Sequence, residues 1–278
     1  MKIATRIAGV RAFLRTACHP VVLVPTMGAL HAGHLALIQR ARKIAGRRGT
    51  IAVSIFVNPT QFAPGEDLSR YPRPVREDNA LTRAAGVDLL FRPGIEEIYD
   101  ADASVFVDET VLSTGLCGKT RPGHFRGVCT VVAKLFHIFQ PDTAIFGEKD
   151  WQQLAIVRRM VRDLHFPVRI HSVPTARETD GLAISSRNRY LSPEERADAP
   201  RFHAALAAAS RCKTPSAILK TASRQISAIP GARIDYIDLV DAATLEPLRR
   251  VDRTATLAAA IFLGKTRLID NLQISKQP

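Results

Sequence analysis

The sequence predicts an α/β fold, a Rossmann-like doubly wound parallel sheet followed by a smaller α+β domain, and two observations carry that expectation. Through the first two thirds of the chain, short Val- and Ile-rich runs alternate with stretches of helical spacing, the pattern of parallel strands covered by helices. After Pro174 the helices come as a block and the strands follow as a block. A length of 278 residues accommodates two modest domains, with the boundary at this change of character, giving 1–175 and 176–278.

Each element has its own signal. Residues 21–24 are four consecutive apolar side chains, a buried strand, and run through Pro25-Thr26-Met27-Gly28 into a helix with Leu35, Ile38 and Ala41 on one side, up to Gly46. Residues 51–57 form a second strand, closed by Asn58-Pro59 because proline cannot extend the ladder. Helix is expected over 74–85, strand over 87–91, a strongly apolar helix over 128–139, strand over 143–146, helix over 151–164 and strand over 168–173. Beyond Pro174 come a loop rich in Arg, Asp and Ser, helices near 194–210 and 215–228, strands over 234–240 and 254–262, and a last strand near Leu268.

Composition narrows the function classes. With 46% hydrophobic and 23% charged residues the chain reads as an ordinary globular protein. Its longest apolar stretch, 255–263, is about half the ~20 residues of a membrane-spanning helix. Arg6, Arg11 and Arg15 interrupt the apolar runs a signal peptide needs, so a cytoplasmic location is expected. Cys18, Cys117, Cys129 and Cys212 lie far apart without C-x-x-C spacing, which suggests neither zinc nor a disulfide framework. The net charge of +13 would attract nucleic acid or anionic metabolites alike, but Arg is interleaved with Asp and Glu without a basic tail, the pattern of a solvated surface.

The stretch Met27-Gly28-Ala29-Leu30-His31-Ala32-Gly33-His34 sits where a buried strand turns into a helix, the edge at which open parallel sheets bind ligands. Gly28 and Gly33 permit close backbone approach, and a helix start favours an anion such as phosphate. His31 and His34, three apart, can face that anion together and stabilise charge developing on it. Surface histidines or a metal pair are the plainer alternatives, and a third ligand at suitable spacing is lacking for the metal. Asn58 and Gln61 lie just past a strand end, where neutral amides can bind a hydroxy acid or simply cap the turn. Lys149 and Asp150 follow another strand end, as nucleotide-phosphate ligands or as an exposed ion pair. Ser185-Ser186-Arg187 offers two hydroxyls and a fixed positive charge suited to β- and γ-phosphates.

The His-x-Gly-His pattern at a strand-to-helix turn resembles the nucleotidyltransferase signature of the class I aminoacyl-tRNA synthetase superfamily. The fuller stretch from Pro25 to His34 is similar to the pantoate–β-alanine ligase (pantothenate synthetase) family specifically. Further blocks resemble that family in the same order: Ser54 to Phe62, Arg121-Pro122-Gly123-His124-Phe125-Arg126-Gly127, Phe146-Gly147-Glu148-Lys149-Asp150, Asp180 to Asn188, and the closing Arg267-Leu268-Ile269-Asp270-Asn271. Trp151 stands where the family pattern has Phe or Tyr, a difference expected to affect packing.

The resemblance implies ATP-dependent condensation of pantoate with β-alanine through a pantoyl adenylate. It implies ATP contacts along Met27–His34, at Gly147, Glu148, Lys149 and Asp150, at Ala176, and at Ile184, Ser185, Ser186 and Arg187. Pantoate and β-alanine would fall to Gln61, Gln153 and Asn58, and the catalytic groups would be His34, His31, Lys149 and Arg187. Mg²⁺ would accompany the ATP, with Asp150 as a candidate ligand, and the family implies a homodimer acting on small molecules, with neither nucleic acid nor membrane as partner. The rival readings are another nucleotidyltransferase of the superfamily, disfavoured by the uncharged Asn58 and Gln61 pair, and a basic RNA-binding protein, disfavoured by scattered charge and 6% aromatics.

Overall fold

A computed structural model describes residues 1–275, which divide into two compact units. The first comprises residues 1–109, 122–148 and 156–174; the second comprises 110–121, 149–155 and 175 onward.

The first unit is built on a six-stranded parallel sheet. Its strands are β1 (Lys2–Ala4), β2 (Val21–Thr26), β3 (Thr50–Ile55), β4 (Leu89–Phe91), β5 (Thr143–Gly147) and β6 (Arg169–Val173), in the spatial order β1-β4-β3-β2-β5-β6. The chain winds outward from β2 through β3 to β4, then returns to place β5 on the other side of β2. That reversal is the topological switch point where doubly wound sheets bind ligands, at the carboxyl ends of β2 and β5. Val22, Leu23, Val24, Ile51, Ala52 and Val53 are fully buried, as central strands covered by helices on both faces must be. The helices are α1 (Ile7–Leu14), α2 (Ala32–Ala45), α3 (Val75–Ala84), α4 (Ile95–Ile98) and, after a further short helix α5 (Leu116–Thr120) in the second unit, α6 (His124–Phe139).

In the second unit β7 (Ala232–Asp241), β8 (Ala255–Leu263) and β9 (Thr266–Ile274) form an antiparallel sheet in sequence order. Nearly all of β8 is buried. Leu257, Ala259, Ile261 and Leu263 join one core with Phe202, Leu206, Ile218 and Ile226, whereas Ala258 joins Leu116 of α5 and Val240 on the opposite face. Alternation of side chains across a strand explains this division. The remaining helices are α7 (Trp151–Asp163), along which the chain passes from the second unit to the first, then α8 (Pro193–Asp198), α9 (Pro200–Ala209) and α10 (Pro215–Ser227).

The six-stranded parallel and three-stranded antiparallel sheets agree with the expected fold class, with local differences. The single helix expected over 194–210 is two helices, because Pro200 opens α9 and cannot donate back into α8. The apolar helix expected from residue 128 begins at His124, and β1, α1, α4 and α5 were not anticipated. Three to eight residues carry too little periodicity to announce an element. Cys129 is fully buried and its thiol is pushed up to about 12 by that burial, which keeps it protonated and unreactive at neutral pH. None of the four cysteines is joined in a disulfide.

One glycine fixes how α6 meets the sheet edge. A Cβ on Gly127 would lie 2.4 Å from the Thr60 carbonyl oxygen and 2.7 Å from the Gln61 nitrogen, both backbone atoms with nowhere to go. The short 3-10 turn Pro59–Gln61 therefore rests directly on the helix backbone. Gly127→Ala should destabilise the protein by about 1–3 kcal/mol, the usual cost of overpacking a rigid contact, as read by urea unfolding. An unchanged midpoint would contradict this contact.

Candidate active site

In the first unit the site begins where β2 ends. Thr26 Oγ1 donates to the Ser54 carbonyl of β3 and accepts from the Gly28 N–H, tying the first turn of the loop to the sheet. Gly28 and Ala29 both have positive φ, 86° and 50°, so the chain doubles back sharply. A side chain at Gly28 would be strained by that conformation and would meet Ile55 Cγ2 at 2.9 Å and Asp78 Oδ2 at 3.0 Å. The turn is held by Asp78 from the first turn of α3: its two carboxylate oxygens accept the N–H groups of Ala29, at 3.0 Å, and Leu30, at 2.8 Å. Asp78 is buried, as are Ala29 and Leu30. These two N–H groups, assigned by sequence to the ATP-contacting stretch, thus face a protein carboxylate.

The histidines follow immediately. His31 caps α2 in extended conformation and His34 sits in its first turn, with ring centroids 4.1 Å apart. The His31 N–H donates to His34 Nδ1 at 3.3 Å. When Nδ1 of a neutral imidazole accepts, its proton resides on Nε2, so this contact orients His34 as a donor through Nε2.

Past the carboxyl end of β3, Asn58 is buried and saturated within the protein. Its Oδ1 accepts from Thr60 and from the Tyr99 hydroxyl, while its Nδ2 donates to Gln61 Oε1 and to the Gly127 carbonyl. Asn58 thereby orients the Gln61 amide. His124 Nδ1 lies 2.8 Å from the Gln61 carbonyl oxygen, and Gln61 Nε2 lies 3.0 Å from Met27 Sδ. That last contact sets the amide against the loop that carries both histidines. At the end of β5, beside β2, come Gly147 and Glu148, the latter accepting from Ser172 Oγ of β6 at 2.7 Å.

The other sequence-assigned residues belong to the second unit. Lys149 and exposed Asp150 follow Glu148 in a 3-10 turn, and Gln153 is half-buried in the first turn of α7. Gln152 is buried instead, with Nε2 donating to the Leu112 and Gly115 carbonyls and Oε1 accepting the Cys117 N–H. Trp151 Nε1 donates to the Ala242 carbonyl at 2.9 Å, so this residue does more than fill space. Ala176 and Ile184 are adjacent because the Ile184 N–H donates to the Ala176 carbonyl across a tight reversal. Ser185, Ser186 and Arg187 follow, with Ser185 Oγ accepting the Arg187 N–H and capping a 3-10 turn.

Residues that sequence reading missed are those that hold these groups: Asp78, Tyr99, His124 as partner of Gln61, and Gln152. Asp78 stands beside Glu77 in a charged helix start, and nothing in the local pattern marks which of the two points inward. Among the described residues no three His, Cys, Asp or Glu side chains gather as a metal cage, and no helix is long and apolar enough to cross a membrane.

Comparison with known proteins places this arrangement in context. The sequence profile described as pantoate-beta-alanine ligase matches residues 2–273. A pantothenate synthetase of Akkermansia muciniphila is 51% identical over 91% of this chain and 92% of its own, and that of Moorella thermoacetica is 47% identical over 98% of both. The crystal structure of pantothenate synthetase from Thermus thermophilus superposes with a TM-score of 0.94 at 47% identity, covering 99% of this chain and all of that one. A pantoate-beta-alanine ligase of Francisella tularensis, solved in complex with beta-gamma ATP and β-alanine, gives a TM-score of 0.82 at 31% identity, covering 98% of this chain and 97% of that one.

Removing the Asp78 carboxylate should leave the Ala29 and Leu30 N–H groups buried without acceptors. Each such donor costs about 1–3 kcal/mol, so Asp78→Ala should lose about 2–6 kcal/mol in equilibrium unfolding. A loss below about 1 kcal/mol would show that the loop holds its shape without the clamp.

Proposed function

The chain belongs to the pantoate-beta-alanine ligase family, and on that premise we propose that it condenses pantoate with β-alanine at the expense of ATP. A carboxylate does not react directly with an amine, because oxide is an untenable leaving group at neutral pH. In the first step a pantoate carboxylate oxygen attacks the α-phosphorus of ATP; the bond from that phosphorus to the bridging oxygen breaks and pyrophosphate departs, leaving pantoyl adenylate. In the second step the free amine of β-alanine attacks the acyl carbon, the bond to AMP breaks, and the nitrogen loses a proton to give the amide. No protein nucleophile takes part, so the enzyme works by positioning and charge neutralisation.

One observation carries this reading: the neutral Gln61 amide, oriented by Asn58, rests 3.0 Å from Met27 in the loop that presents His31 and His34. A small acid held by Gln61 has its carboxylate next to a phosphate on the histidines, the juxtaposition adenylation requires. Gln153 is assigned to pantoate as well, and Asn58 acts through Gln61. The amides bind a carboxylate and hydroxyls without a charge that would blunt the nucleophile. His34 donates through Nε2 to the α-phosphoryl oxygens with His31 beside it, and backbone along Met27–His34, with Gly147, Glu148, Ala176 and Ile184, lines the nucleotide. Lys149, Ser185, Ser186 and Arg187 bind the phosphates and the departing pyrophosphate.

Magnesium fits this donor set. It would be held mainly by phosphate oxygens rather than by a protein cage, and exposed Asp150 next to Lys149 would offer one carboxylate. When bound it neutralises phosphate charge. Homodimer formation is part of the same proposal and rests on the family alone. A cytoplasmic location is part of the same proposal.

Mass spectrometry of products decides the function. With ATP, Mg²⁺ and pantoate the expected products are pantoyl adenylate and pyrophosphate; adding β-alanine should yield pantothenate and AMP. ADP with inorganic phosphate, or pyrophosphate formed without pantoate, would overturn the proposal. His34→Ala should slow adenylate formation by about 10²-fold or more while ATP affinity stays within a few-fold, because its contact strengthens in the transition state. A raised KM for ATP at unchanged kcat would contradict that role. Gln61→Ala and Gln153→Ala should each weaken pantoate binding in calorimetric titration and leave ATP binding near normal; equal losses for both ligands would reject the assignment.

A further inference from the structure

The closing stretch Arg267-Leu268-Ile269-Asp270-Asn271 has no part in the chemistry above, yet within the second unit two adjacent residues of it reach both phosphate-binding segments. Asn271 Nδ2 donates to the backbone carbonyl of Lys149 at 2.9 Å. Asp270, buried at 3% exposure, takes a two-pronged contact from Arg177: Nη1 to Oδ2 at 2.7 Å and Nη2 to Oδ1 at 2.9 Å. Arg177 Nη1 also donates to the Gly181 carbonyl at 3.2 Å, so the guanidinium grips the tight reversal that leads into Ser185-Ser186-Arg187. The carboxylate is completed by His203 Nδ1, 3.1 Å from Oδ2, and by the Asn271 N–H, 2.8 Å from Oδ1.

We propose that Asp270 and Asn271 are positioning residues for adenylate formation, Asn271 by fixing the backbone of Lys149 and Asp270, through Arg177, by fixing the segment that carries Arg187. Both side chains are engaged with protein groups, so their effect is transmitted through Lys149 and Arg177. Because the two are consecutive on β9, one strand sets the spacing between ammonium and guanidinium. A plain packing role does not need an amide donor on one residue and a forked ion pair on the next, each ending on a phosphate-binding segment. The inference rests on the phosphate-binding role assigned to Lys149 and Arg187.

Its test is a pair of double-mutant cycles on the full chain, read as the single-turnover rate of pantoate-dependent pyrophosphate release, with melting temperature recorded for each variant. Asn271→Ala should slow that step roughly ten- to hundred-fold, the cost of a misplaced ligand group. In a Lys149→Ala background the same change should slow it less than about threefold, since the backbone carbonyl remains but the ammonium it positions has gone. Asn271→Asp keeps the volume but turns an oxygen toward the Lys149 carbonyl; it should be at least as slow as Asn271→Ala, whereas a space-filling role would let it recover the rate. The second cycle pairs Arg177→Lys with Arg187→Ala, because Asp270→Asn leaves a buried guanidinium unpaired and can cost the fold, while lysine keeps the charge but cannot bridge both oxygens.

Equal slowing in both backgrounds, or a wild-type rate for Asn271→Ala, with Lys149→Ala slow, overturns this inference and leaves the function intact. A wild-type rate for Lys149→Ala overturns the phosphate-binding role of Lys149 and this inference with it, whereas absence of pantoate-dependent pyrophosphate release from the unmodified chain overturns the function.

Discussion

Two backbone N–H groups that a reader of the sequence would offer to a phosphate, those of Ala29 and Leu30, end on the carboxylate of Asp78. This contact constrains everything after it. It permits the chain to reverse through two consecutive positive-φ residues straight after β2, and the reversal sets His31 at the cap of α2 and His34 in its first turn. From there the His31 N–H selects the acceptor nitrogen of His34, and with it the nitrogen that donates. A buried carboxylate is costly without donors, and here both oxygens are supplied with them; the cost and the shape of the loop are linked.

The second unit repeats the device. Asp270, also buried, is held well below the usual carboxylate range by His203 and Arg177 against the opposing effect of burial, and fixes the segment leading to Arg187. Since its folded pKa is lowered, the stability this ion pair contributes is fully present above the ordinary carboxylate pKa and is lost as pH falls through the lowered value. In both units the groups proposed to contact substrate stand on loops or on the first helical turn after them, and a buried aspartate bonded within the protein decides how the adjoining loop runs. Adenylation leaves little covalent work for the protein, so accuracy of placement is where its structure bears on rate.

What the sequence made legible follows from the range of each signal. Strands β2, β3 and β5 are continuous apolar runs closed by Pro or Gly, and α2, α6 and α7 carry strong periodicity, so the parallel sheet was readable. The residue types proposed for the chemistry were readable too, because His31, His34 and Lys149 lie in contiguous blocks just past strand ends and Arg187 in a contiguous block with Ser185 and Ser186. Asp78 was not. Its partners are about fifty residues away, and only the fold turns it inward while Glu77 beside it stays outside. Asn58 illustrates the same limit from the other side: sequence offers it equally as ligand or turn cap, and four hydrogen bonds within the protein make it the holder of Gln61. Asp270 and Asn271 were noticed as part of a resembling block, but their partners, Arg177 and Lys149, are remote along the chain.

The central claim is that pantoate's carboxylate becomes bonded to the α-phosphorus of ATP, and an isotope measures that bond directly. With pantoate carrying ¹⁸O in both carboxylate oxygens, a complete turnover with ATP and β-alanine should deliver AMP containing one ¹⁸O and pantothenate retaining the other. Label in inorganic phosphate or pyrophosphate, or AMP free of ¹⁸O, would contradict the account.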